Sequence, residues 1–225
     1  MTVPVVRVAG LALEGPEGAV FAPVDAAVWP GMLTAVVGPA GSGRSALLLA
    51  LTGRMRGCTG TVLLADADRP HRADARRLRA RSAVARLGEL VAPEDRLDVA
   101  QSLAERALID GVRPAAAEQA FAAAEELLEV HLDRRALVEQ LGAYERAVLA
   151  VALARVRAAD LVVLDDADAD LDLDDQRRLL AALRRLAGTG PAVLVSTTER
   201  AALPAGSRAV TLPGPTPNRS SKKAS

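Results

Sequence analysis

The chain has 225 residues, half of them apolar and a quarter charged, a composition that excludes a mostly disordered chain and a coiled coil. Its 28 basic and 28 acidic side chains cancel, which gives no support to a bulk nucleic-acid binder, and its single cysteine, Cys58, excludes an internal disulfide. No apolar run approaches the roughly 18 residues that span a bilayer, and Met1-Thr2-Val3-Pro4 opens no basic, then apolar, leader, so a soluble cytoplasmic protein is expected.

Val3, Val5, Val6 and Val8 predict short strands over residues 3–28, with Gly15-Pro16-Glu17-Gly18 as the turn between two of them. Met32 to Val37 is a compact apolar run and reads as a buried strand. It runs into Gly38-Pro39-Ala40-Gly41-Ser42-Gly43, too rich in glycine for the interior of an element, and Arg44 to Arg54 then has helical character. Asp66 to Arg81, crowded with arginine and aspartate, reads as a solvated connection. Helices are expected from Leu97 to Leu141, broken at Gly111-Val112-Arg113-Pro114, and again from Ala147 to Arg157. Leu161 to Leu164 and Ala192 to Ser196 read as buried strands, with an amphipathic helix from Asp174 to Ala187 between them. Beyond Pro213 the chain is mostly Pro, Ser, Asn and Lys, and disorder is expected over 213–225. Strands alternating with helices predict an α/β fold with a mostly parallel sheet, an N-terminal β region and a helical middle that forms an inserted subdomain.

Two segments carry chemistry. Gly38-Pro39-Ala40-Gly41-Ser42-Gly43-Arg44-Ser45 matches the phosphate-loop template G-x-x-x-x-G-K-[ST] except at Arg44. Small residues let backbone N–H groups close around phosphate oxygens, and the next helix turns its positive end to the anion. Ser45 stands where the template's hydroxyl holds Mg²⁺. Lysine occurs only at Lys222 and Lys223, so Arg44 is either a consequence of coding bias with phosphate binding kept or a change in the loop's chemistry. The second segment, Leu161-Val162-Val163-Leu164-Asp165-Asp166, is an apolar strand ending in acids, the arrangement that brings a carboxylate to Mg²⁺ beside a bound phosphate.

In order and spacing these motifs resemble the nucleotide-binding subunit of ATP-binding cassette (ABC) transporters, from Val5 to about Leu212. Gly38 to Ser45 is similar to the Walker A loop. Leu97-Asp98-Val99 with Gln101-Ser102-Leu103 resembles the segment after the Q-loop, and Leu141-Gly142-Ala143-Tyr144-Glu145 stands at the signature. Asp165-Asp166 stands at the end of Walker B, Ala169-Asp170-Leu171-Asp172 at the D-loop, and Val193 to Glu199 at the switch strand. Asp165 follows Leu141 by 24 positions and Thr198 follows Asp165 by 33, as in the family.

The resemblance implies a P-loop NTPase fold with a RecA-like core over 1–212 and a helical subdomain inserted at about 90–155. It implies binding of ATP and Mg²⁺ by Gly38 to Ser45, metal contacts from Ser45, Asp165 and Glu89 (the residue aligned with the Q-loop glutamine), and signature contacts from Leu141, Gly142 and Ala143. Asp166 stands at the general base and Thr198 at the switch histidine. The implied partners are a second ATP-binding subunit and an integral membrane permease, with no nucleic acid, and the implied place is the cytoplasmic side of the membrane.

The departures fall on catalytic positions. The Asp166 carboxylate is set back by one methylene from a glutamate's, and Thr198 carries no charge. Tyr144 replaces a signature glycine and either obstructs closure of a sandwich or packs on the helices. The first reading is therefore an ATPase subunit with weak turnover, and the alternative is a nucleotide-binding, hydrolysis-deficient regulatory or heterodimer subunit.

Overall fold

A computed structural model describes residues 3–66, 69–88 and 90–214. The first strands, β1 (Val6–Gly15) and β2 (Gly18–Val28), form the expected hairpin around Gly15 to Gly18. They are followed by β3 (Leu33–Val37), the glycine loop and α1 (Arg44–Leu51). The stretch expected to be a solvated connection is structured instead. It lies among β4 (Thr59–Asp66), β5 (Arg69–Arg72), α2 (Ala75–Arg81) and β6 (Ser82–Arg86). The helical middle comprises α3 (Val99–Asp110), α4 (Pro114–Leu128) and α5 (Ala143–Ala154), inserted between β6 and β7 (Leu161–Leu164). Then come α6 (Leu173–Gly188), β8 (Ala192–Thr197) and β9 (Arg208–Thr211). Pro213 and Gly214 belong to the described residues; the rest of the tail expected to be disordered, 215–225, lies outside them.

Two sheets result among the described residues. One is antiparallel in the order β2-β1-β4-β5, and the other is parallel in the order β6-β7-β8-β3-β9. The parallel sheet is covered on both faces, which is why its strands read as unbroken apolar runs. Successive side chains point to opposite faces. Val162, Leu164, Val193 and Val195 join the core shared with α3 to α6, while Leu161, Val163, Ala192 and Leu194 join the core shared with the antiparallel sheet. The second core also takes Leu47, Leu48 and Leu51, so α1 is wedged between the sheets.

The helix ends are set locally. Asp98 caps α3 in a reciprocal box with Gln101, and Gly111 closes it in the left-handed region. Pro114 opens α4 at a position that needs no N–H donor. Asp172 caps α6 by accepting from Asp175 N at 2.8 Å.

Candidate nucleotide site

The strands β7, β8 and β3 are neighbours and parallel, so their C-terminal ends open on one edge of the sheet. In an open α/β sheet that edge is where ligands bind. Here it presents the loop 38–45 after β3, Asp165 and Asp166 after β7, and Thr198 after β8.

The loop needs its glycines. Gly41 and Gly43 sit at φ of 76° and 85°, where a side chain is strained. A Cβ on Gly43 would also collide with the Val20 carbonyl of β2, and one on Gly38 would stand 2.5 Å from Ser42 Oγ. Gly43 leads directly into α1, and Leu47 N donates to Gly43 O at 2.9 Å. Arg44 and Ser45 thus occupy the first turn, where free N–H groups and the helix dipole favour an anion.

Arg44 folds back across the loop. Its Nη1 donates to Gly38 O at 2.5 Å and its Nη2 to Asp166 Oδ1 at 2.8 Å, joining residues 122 positions apart. Asp165 is fully buried. Its Oδ1 accepts from Ser196 Oγ at 2.5 Å, and the same Ser196 oxygen accepts from Asp166 N at 2.7 Å. Asp165 Oδ2 and the buried Ser42 Oγ have no hydrogen-bond partner. Such orphaned oxygens are uncommon in a native interior. They suit a magnesium phosphate, which would satisfy a carboxylate at the strand end and a hydroxyl in the loop.

Arg86, at the end of β6, was not singled out from the sequence. Its Nη2 donates to Asp166 O at 2.5 Å, and Nε and Nη2 both reach Asp165 O at 3.2 Å. Burial lowers the affinity of this guanidinium for its proton, and the aspartates around it, Asp166 first, oppose that effect. The sequence signal was a lone basic residue closing an apolar run, Ser82-Ala83-Val84-Ala85-Arg86.

Asp166 sits at φ 45°, a conformation that Asp and Asn tolerate better than most residues. Burial pushes its carboxyl above the usual aspartate range; Asp165 adds to the rise and Arg44 pulls against it. Thr198 is exposed, and both its N–H and its hydroxyl donate to Asp168 Oδ2, the N–H at 2.7 Å. Asp168, hidden in a run of aspartates, is thus a second residue that the sequence did not distinguish.

The signature positions lie at the start of α5. Leu141 is buried, while Gly142 is exposed and caps the helix, its N–H donating to Glu145 Oε2 at 3.0 Å. Ala143 opens the helix. Tyr144 turns inward, buried among the helices with the Arg178 guanidinium 4.3 Å from its ring centroid, so the packing alternative is the one this fold adopts. Glu89 lies outside the described residues.

A family model described as ABC transporter matches residues 21–169. The chain belongs to the ABC transporter family. It is 33% identical over 202 residues to a hemin import ATP-binding protein of Myxococcus xanthus, covering 84% of this chain and 73% of that one. It is 32% identical over 173 residues to an ABC transporter ATP-binding/permease protein of Mycobacterium tuberculosis, covering 75% of this chain. The chain spans 19–34% of the length of that protein and of two Streptomyces relatives. The fold matches a dimeric structure of a bacterial ABC transporter cassette with a TM-score of 0.72 at 17% identity, over 92% of this chain and 94% of that one. Members of the ABC family that share this fold are ATP-binding cassettes, and the RecA-like core expected from the sequence is the architecture found here.

Proposed function

We propose that the chain is the ATP-binding subunit of an ABC transporter, binding Mg-ATP in the loop Gly38 to Ser45 and working with a separate permease at the cytoplasmic face of a membrane. The observation that carries this reading is the meeting of three strand ends: Arg44 bonded to Asp166, with Ser196 joining Asp165 to the Asp166 main chain. In this reading residues 1–212 form one ATP-binding domain, with the helices at about 90–155 as its inserted part. The loop amides and Arg44 hold phosphates, and Ser45 and Asp165 hold the metal. Mg²⁺, when bound, neutralises charge on the β- and γ-phosphates. Asp166 orients water, and Leu141, Gly142 and Ala143 face the nucleotide of a second subunit.

The permease surface in this proposal is a groove of about 500 Å³ beside α3, lined in part by Leu90, Val91, Pro93, Ile109 and Leu153. Leu90 and Ile109 are 76% and 71% exposed. Among the described residues no helix is long and apolar enough to cross a membrane.

A specific observation favours weak hydrolysis. Asp166 is engaged by Arg44, and the Thr198 hydroxyl is engaged by Asp168. General acid–base help is worth roughly 10²–10⁴ in rate, so the expected turnover of the chain alone lies below about 1 s⁻¹, the low end for competent enzymes. The test is a thermal-shift titration with ATP, with and without Mg²⁺, followed by a turnover assay on the same protein. A ligand at about 100 times its Kd adds about 2.7 kcal/mol of stability. ATP that fails to raise the melting temperature at millimolar concentration removes the reading. Turnover well above 1 s⁻¹ removes its hydrolysis-poor form.

A further inference from the structure

The cation of the phosphate loop already has an anion. Arg44 has only 10% of its side chain exposed, and Asp166 has 40%. A guanidinium presents its donors as a fixed planar fork. Here one arm is spent on the loop's own Gly38 carbonyl and another on the Asp166 carboxylate. That carboxylate is held in place through its main chain. Ser196 Oγ takes the Asp166 N–H, Arg86 grips the Asp166 carbonyl, and the residue is set at φ 45°. The Arg86 guanidinium is directed to main-chain carbonyls. Of the other charges acting on the Asp166 carboxyl, Asp165 and Asp168 are acidic, and Arg86 favours the carboxylate through space while its donors go to main-chain carbonyls. Arg44 is therefore the cation that compensates this carboxylate by direct side-chain contact.

We propose that Asp166 sets nucleotide affinity by competing with phosphate for Arg44, so that a nucleotide enters by displacing the Asp166 carboxylate from the guanidinium. This rests on the nucleotide-binding reading above. Phosphate and carboxylate are both acceptors and both negative, and bringing them to one fork places like charges side by side. Binding and release of Asp166 are then one event. The carboxylate becomes free to meet water only when a phosphate has taken its partner.

The experiment is a double-mutant cycle on the full chain, with ADP as the probe so that hydrolysis plays no part. ADP dissociation constants are measured by calorimetry for wild type, Asp166→Asn, Arg44→Gln and the double variant. Asparagine tolerates the left-handed backbone at 166, so the fold is kept. Asp166→Asn is expected to bind ADP roughly three- to fivefold more tightly than wild type, the upper range of a part-exposed ion pair. In the Arg44→Gln background the same change should move the constant by less than about twofold.

Equal tightening in both backgrounds would mean that Asp166 only repels phosphate through space, and the competition is overturned. Wild type that binds ADP while Asp166→Asn binds no tighter also overturns it, leaving the nucleotide reading intact. If no protein of the cycle binds ADP, both fall. Should Arg44→Gln alone bind too weakly to titrate, the melting temperature of the nucleotide-free chain decides. Asp166→Asn shifts it differently in wild type and in the Arg44→Gln background if the pair is engaged, and by the same amount in both if the aspartate merely sits among like charges.

Discussion

Ser196 is a small side chain that joins three parts of the site. It is fully buried on β8, donates to Asp165 Oδ1 and accepts from Asp166 N. Replacing it with alanine leaves a buried carboxylate oxygen and a backbone N–H without their partner. An orphaned buried group costs about 1–3 kcal/mol, and a chain of this size loses roughly 2–4 °C of melting temperature per kcal/mol. Ser196→Ala should therefore melt several degrees lower by calorimetry, and Mg²⁺ should add less to its stabilisation by ATP than it adds to wild type. An unchanged melting temperature would show that the serine bridge is not engaged. At this scale the sequence revealed the identities of the site residues but not their partners. Arg44 was visible as a departure from the phosphate-loop template, whereas its bond to Asp166 depends on the meeting of two strand ends whose residues stand 122 positions apart. Arg86 and Ser196 act by gripping main chain and carboxylate, and residue type alone carries no mark of that.

Among the elements, α4 and the turn after it are tied by one buried acid. Glu125 is 6% exposed, yet it accepts from Arg134 Nη2 at 2.7 Å, from Arg134 Nη1 at 2.9 Å and from Leu132 N at 2.8 Å. The same guanidinium lies 4.5 Å from the centroid of the buried Phe121 ring. Burial pushes the Glu125 carboxyl up, but the hydrogen bonds from Arg134 and Leu132 outweigh it, and the net direction is down. A carboxyl depressed on folding contributes stability that is complete above its unfolded value of about 4.3 and is lost as pH falls through the folded value. The melting temperature of wild type should therefore approach that of Glu125→Gln as pH is lowered from 5 to 3. At pH 7, Arg134→Met should cost about 3–5 kcal/mol, because it strands a buried charge. A pH-independent gap between wild type and Glu125→Gln would contradict the assignment.

Elements were most legible where punctuation was sharp. The strand expected at Leu161 to Leu164 is β7 with the same bounds, and the break at Gly111 to Pro114 falls between α3 and α4. The strands β4, β5, β6 and β9 were not anticipated. β6 directly follows α2, with no glycine or proline between them, and carries a register shift against β7. β9 is a four-residue edge strand, mostly exposed, with no alternation to mark it.

The whole molecule is organised around a parallel sheet that serves two cores. Every residue of β3, β7 and β8 is buried, and these strands send alternate side chains into the helical core and into the core shared with the antiparallel sheet. The loop 38–45 lies where the two cores meet. Its Gly43 packs on the Val20 carbonyl of β2, and α1 buries Leu47, Leu48 and Leu51 between the sheets. Local opening is easiest where few apolar contacts must break, and the slowest amides mark elements that open only with global unfolding. Native-state hydrogen exchange should therefore find the slowest amides in β7 and β8, whose neighbours on both sides are hydrogen-bonded strands. Fast exchange is expected in β9, which pairs on one side only and is largely exposed. Because α1 touches both sheets, a nucleotide held at its first turn should also slow exchange in β2, well away from the strand ends that carry the acids. Protection confined to the loop and β7, with β2 unchanged at saturating ATP, would show that the two cores respond independently and that α1 does not couple them.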